Sequence, residues 1–140
     1  MSTNTSHTKW LGGMAFESTN PGGVVTIDAA VEQGGAGSGL RPKAMMLNSL
    51  AGCSAMDIAH LVKKMRAEID TFTIDVEGDL TDEEVQVYHT FRVTYNFYGN
   101  NLDEEKLKKI VYLSTDKYCG VMTMFRHFAK IEVFINYFPA

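Results

Sequence analysis

From Pro42 to about Ala67 the apolar residues Met46, Leu47, Leu50, Cys53, Met56, Ile58, Leu61, Val62 and Met65 recur every three to four positions. That spacing predicts a long helix with one wide buried face. Pro42 suits a first helical turn, and Lys63, Lys64 and Arg66 suit both solvent and the negative end of the helix dipole. No charged residue occurs between Ala44 and Met56, so the first half of this helix is expected to be buried nearly all round. Thr71 to Leu80 and Val85 to Tyr98 instead alternate with period two and predict two strands joined by the acidic turn Thr81-Asp82-Glu83-Glu84. After Gly99-Asn100-Asn101, the order Asp103, Glu104, Glu105 and then Lys106, Lys108, Lys109 opens a second helix in the sense its dipole prefers. It is predicted to reach about Ala129, with a weak point between Ser114 and Lys117, and Ile131 to Phe138 closes the chain as a strand.

Near the start, Thr8 to Phe16 and Gly23 to Ala30 carry β-branched and aromatic residues around Ser-Thr-Asn-Pro-Gly-Gly, which reads as a hairpin. Residues 1 to 7 read as a disordered tail. Between Glu32 and Gly39, five of the six positions from Gly34 are glycine or serine, which predicts a mobile loop. The expected order is β-β-α-β-β-α-β, with strands grouped in pairs, and this argues an α+β fold with mainly antiparallel sheet. At 140 residues the chain fits one domain, expected over residues 8–140, and no internal repeat is visible.

With 45% apolar and 21% charged residues a packed core is expected without disulfide staples. The net charge of −4 leaves no basic surplus for a phosphate backbone, so nucleic acid is not an expected partner. The N-terminal residues lack the basic start and apolar block of a signal peptide, and no apolar run is long enough to span a bilayer, so no membrane association is expected. The expected location is cytoplasmic, where cysteines are free, catalytic or metal-bound rather than statically crosslinked.

Against this background the two cysteines, Cys53 and Cys119, are the candidate chemistry. Each is expected within an apolar helical stretch and neither belongs to a short-spacing metal or redox motif. A cysteine in an apolar helix is most often an inert small hydrophobe. Here, however, Ser49, Ala51, Gly52, Ser54 and Ala55 flank Cys53 and Gly120 follows Cys119, and small neighbours allow a second helix or a substrate to approach closely. The four scattered histidines give no zinc-like spacing. Neither Ser54 nor Ser114 has an evident His and acid that would make it a hydrolytic nucleophile. The methionines, most of them at helical positions, read as adaptable core filler or as the lining of an apolar pocket.

Pro42 to Asp57 (Pro-Lys-Ala-Met-Met-Leu-Asn-Ser-Leu-Ala-Gly-Cys-Ser-Ala-Met-Asp) together with Leu113 to Val121 (Leu-Ser-Thr-Asp-Lys-Tyr-Cys-Gly-Val) resembles the OsmC/Ohr family of bacterial hydroperoxide reductases. Tyr95 to Gly99 and Lys9 to Phe16 extend the likeness over nearly the whole chain. The resemblance implies an intertwined α+β homodimer with two central Cys-bearing helices and two sites at the subunit interface. It also implies a cycle in which Cys53 attacks a hydroperoxide, Cys119 closes a disulfide and an external dithiol restores both thiols, with no metal or organic cofactor.

The chain departs from the family in the groups that activate the first cysteine. Family peroxidases supply an Arg from the N-terminal strands and a Glu nine or ten residues before that cysteine. Residues 1 to 40 here contain no Arg, and the Glu positions are Lys43 and Ala44. Arg41 and Lys43 are the substitutes at hand, or simply basic residues at an exposed helix start. Arg41 stands about 18 Å from Cys53 along a straight helix, so a partner subunit would have to bring it there. Asp57, one turn after Cys53, either pairs with Lys117 or makes a helix–helix contact. The alternative to a peroxidase is a binding module that takes a small apolar or electrophilic ligand at the dimer interface.

Overall fold

The computed structural model describes the whole chain, Met1–Ala140. Its contacts divide into two compact units, Met1–Met46 and Leu47–Ala140. Two three-stranded sheets and three helices make up the α+β fold.

The first unit holds an antiparallel sheet of β1 (His7–Gly12), β2 (Ala15–Asn20) and β3 (Gly23–Ile27), where the sequence suggested two strands. The extra turn comes from Gly12 and Gly13, whose φ angles of +108° and +56° fold the expected Thr8–Phe16 strand back on itself. Trp10 Nε1 donates to the Gly13 carbonyl at 2.9 Å across this bend. The expected turn at Asn20–Gly23 is present, with the Asn20 side chain accepting from the Gly22 N–H at 2.7 Å.

The glycine-rich segment after β3 is not a loose loop. The Asp28 carboxylate is 1% exposed and accepts from the backbone N–H groups of Ala29, Ala36 and Ser38 and from Ser38 Oγ, at 2.7 to 3.1 Å. These bonds hold the Asp28 carboxyl down to about 2 and wrap the segment around one buried charge. The glycines permit this wrapping: Gly34 and Gly37 take positive φ, and a Cβ on Gly35 would collide with the Ala29 carbonyl.

In the second unit lies nearly all of α1 (Met45–Lys64), followed by β4 (Thr71–Leu80), β5 (Tyr88–Tyr98), α2 (Glu104–Leu113), a π-helical turn (Ser114–Tyr118), α3 (Gly120–Phe125) and β6 (Lys130–Phe138). β5 is the middle strand, antiparallel to β4 and parallel to β6, because the chain leaves β5, crosses through the helices and returns in the same direction. Its inward positions Phe91, Val93, Tyr95 and Phe97 are fully buried. The opposite face is polar: Arg92 grips Asp79 with two hydrogen bonds at 2.6 and 2.9 Å. Leu50, Ser54, Ile58 and Leu61 form the buried stripe of α1. The expectation of all-round burial for its first half is not met within one chain, since Gly52 is open and Met56 is 77% exposed. Asp103 caps α2 by accepting from the Lys106 N–H at 3.1 Å, and Leu107, Ile110 and Val111 face the core.

The second predicted helix is in fact broken into α2, the π-turn and α3. Cys119 is therefore not inside a helix. Its backbone is extended (φ −78°, ψ 105°), and it stands at the N-cap of α3. The weak point at Ser114–Lys117 falls within the π-turn.

Candidate functional site

Cys53 lies on α1 and is half-buried, while Cys119 sits before α3 and is 1% exposed; both are free thiols. The fold brings these two cysteines, distant in sequence, close enough for one thiol to act on the titration of the other. The Cys119 sulfur also accepts from the Met122 N–H at 3.3 Å. Burial pushes the Cys119 thiol up to about 12, and the neighbouring Cys53 adds to that shift, outweighing the Met122 amide. The pair is thus asymmetric. One sulfur is half-buried on a helix, whereas the other is sealed from solvent.

Beside the thiols runs a buried chain of hydrogen bonds. Tyr95 Oη contacts Ser54 Oγ at 2.6 Å, Ser54 Oγ contacts Ser114 Oγ at 2.8 Å, and Ser114 Oγ donates to Asp57 Oδ2 at 2.9 Å. A hydroxyl has one proton, so Ser114's gift to Asp57 obliges Ser54 to donate to Ser114 and Tyr95 to donate to Ser54. Burial drives the Tyr95 hydroxyl up to about 12, against the opposing effect of the Ser54 bond; Cys119 and Asp57 nearby push the same way as burial, and Arg126 opposes them. Arg126 itself donates to the Thr115 carbonyl at 2.5 Å and to Asp116 at 3.4 Å.

Of the residues singled out in the sequence, Cys53, Cys119 and Asp57 come together. Asp57 makes the helix–helix contact, through Ser114, while Lys117 sits over the Tyr118 ring at 5.4 Å from its centre. Arg41 and Lys43 belong to the first unit, where Arg41 Nη1 donates to the Gly39 carbonyl at 2.6 Å. Sequence reasoning missed Tyr95, Arg126 and the structural use of Ser54 and Ser114. Ser54 did carry a signal, because it lies in register with Leu50 and Ile58 on the buried stripe, and a buried hydroxyl calls for a partner.

A pocket of about 400 Å³ adjoins the cluster and shares Asp57 with it; His60, Leu61, Lys64 and Tyr118 complete its wall. No group of three or more His, Cys, Asp or Glu side chains converges in a way that could hold a metal ion. No helix is long and apolar enough to cross a membrane.

A family model described as OsmC-like protein matches residues 35–134. The chain is 23% identical to Protein YhfA of Escherichia coli (strain K12) over 116 residues, 83% of this chain and 84% of that one. A hypothetical protein from Aquifex aeolicus VF5 is 25% identical, with a TM-score of 0.86 over 100% of this chain and 99% of that one. The organic hydroperoxide resistance protein OhrB of Bacillus subtilis is 20% identical, with a TM-score of 0.67 over 96% of this chain and 98% of that one. This last likeness is one of fold.

Proposed function

The chain belongs to the OsmC-like protein family, and from that premise we propose that it is a thiol-dependent peroxidase reducing organic hydroperoxides through Cys53 and Cys119 in oxidative-stress defence. The observation that supports this reading is the juxtaposition of a half-buried thiol and a sealed one. Cys53, as thiolate, attacks the terminal peroxide oxygen; the S–O bond forms as the O–O bond breaks, and the alkoxide takes a proton to leave as alcohol. The sulfur has lost two electrons and the peroxide has gained them. Cys119 then attacks the Cys53 sulfenic acid, its thiol proton leaving with the hydroxyl as water, and a disulfide results. An external dithiol supplies two electrons and two protons to regenerate both thiols. No metal or organic cofactor enters this cycle. A cytoplasmic, reducing compartment suits it.

The functional form in this reading is a homodimer. On α1, Gly52 and Met56 lie open, one turn apart, on a helix segment that carries no charge before Asp57, and Met124 and Phe128 are 59% and 50% exposed. A second copy that covers such surface brings the two sites to the interface. Sedimentation should give twice 15.6 kDa, and Met56→Asp should shift the protein toward monomer.

Turnover with an organic hydroperoxide and a small dithiol tests the cycle. Cys53→Ser should abolish even the first turnover, and Cys119→Ser should allow one and stop the second. Sustained turnover in either variant contradicts the two-thiol cycle. The absence of Arg from residues 1 to 40 favours one other reading, a non-peroxidatic module that binds a small apolar or electrophilic ligand at the interface. In that case an apolar ligand raises the melting temperature while hydroperoxide is not consumed.

A further inference from the structure

Three of the hydrogen bonds that Ser114 makes connect the two cysteine segments. Its carbonyl accepts the Cys119 N–H at 2.8 Å, its hydroxyl meets that of Ser54, the residue after Cys53, and the same hydroxyl donates to Asp57, one turn further along α1. Tyr95, fully buried on the middle strand, closes the row by contacting Ser54. Ser54 and Ser114 are themselves 0% exposed, so this polar row lies where apolar side chains would otherwise pack. A buried hydroxyl is tolerated only when satisfied, and no buried side-chain nitrogen or oxygen in the chain lacks a partner.

The need for such a row lies in the local backbone. α1 is a regular rod, but Cys119 follows a π-helical turn and has extended torsions, so no helical ladder fixes its distance from α1. Disulfide closure tolerates only a narrow range of Cα and Cβ separations. Apolar packing is non-directional and fixes such a separation poorly, whereas hydrogen bonds of set length and direction do so.

We propose that Ser54 and Ser114, anchored by Asp57 and closed by Tyr95, form a buried clasp that holds Cys119 in disulfide register with Cys53. These are positioning residues: they act through the backbone of each cysteine. The proposal rests on the thiol-pair reading above and assigns that pair the parts that set its effective concentration.

The test uses glutathione rather than peroxide, so that it stands apart from the peroxidase reading. Glutathione disulfide takes two electrons and two protons from the two thiols, forming the protein disulfide and two glutathione molecules. The full-length chain and its variants are equilibrated without oxygen in glutathione buffers of graded ratio, quenched by alkylation and weighed. Ser114→Ala and Ser54→Ala should each shift the equilibrium toward the dithiol by about tenfold, the weight of one buried hydrogen bond, with mixed disulfide collecting on Cys53. Tyr95→Phe, which keeps the ring in the core, should shift it less and in the same sense. If Ser114→Ala does not fold, the other two variants carry the test. Ile110→Val, a core change in α2 outside the clasp, should lower the melting temperature and leave the equilibrium where it was.

Wild-type equilibria in the clasp variants overturn the proposal whatever their melting temperatures, as does an equal shift in Ile110→Val. A wild-type chain that forms no disulfide in oxidising glutathione also overturns it, since there is then no pair to register. Disulfide formation in glutathione with no consumption of hydroperoxide removes the peroxidase reading and leaves the clasp standing.

Discussion

The β1–β3 sheet and the β4–β6 sheet have the same number of strands but belong to units that are ordered in opposite ways. In the first, every residue of β1 is exposed, Trp10 and Val24 are 65% and 68% exposed, and the segment that follows β3 is organised by the buried Asp28 carboxylate and the amides it gathers. In the second, the middle strand buries a continuous apolar row, and an aromatic cluster with Phe91, Phe125 and Phe128 at ring separations of 5.1 to 6.4 Å fills the space beside it. A five- or six-residue strand ribbon has little apolar surface to bury, and charge-assisted hydrogen bonds order the segment that follows it. The longer strands backed by helices are ordered by burial. The thiol pair lies in the apolar unit, where a polar row inside the core can be rigid because everything around it is close-packed.

Substitutions in the two units should separate these modes of support. Phe91→Ala should have the largest effect, about 3–5 kcal/mol in a urea titration, since Phe91 is fully buried at the centre of the aromatic cluster. Asp28→Ala should come next and act locally, removing the amide exchange protection of Ala36 and Ser38 while leaving that of Val93 and Tyr95 intact. The same carboxylate makes the first unit acid-sensitive. Its folded value, about 2, lies below the ordinary 3.8, so its contribution is complete above the unfolded value and is lost as pH falls from 3.8 through about 2. The Ala36 and Ser38 amide signals, followed by NMR across that range, should change before those of β5. Asp103→Ala, which uncaps α2, should cost about 1 kcal/mol by thermal melting. Val85→Ser, in the exposed β4–β5 turn, should stay within about 0.5 kcal/mol of wild type by the same measurement. Equal loss of protection in both units from Asp28→Ala would erase the distinction between them.

The second unit was largely legible in the sequence because its signals are periodic. Thr71–Leu80 was expected and observed with the same bounds, the β5 alternation is a period-two row, and α1 repeats every three to four residues. The features that escaped depend on single residues or on long-range partners. Gly12-Gly13 bends a segment whose composition reads as one strand. The glycine-rich run looked mobile because its anchor, Asp28, precedes it by several residues and acts through the backbone. The π-turn has no periodic signature, so Cys119 moved from a helix interior to a cap. Both cysteines were legible as the candidate pair, yet their contact follows from tertiary packing, and Tyr95 enters the site from a strand whose pattern marks it only as core.

The most direct test of the account is an intact-mass and free-thiol count of the fully reduced protein after one equivalent of an organic hydroperoxide, sampled over seconds. The account predicts rapid loss of both thiols and a mass lower by two hydrogens, the signature of a Cys53–Cys119 disulfide. Two thiols that persist for many minutes at unchanged mass would contradict it.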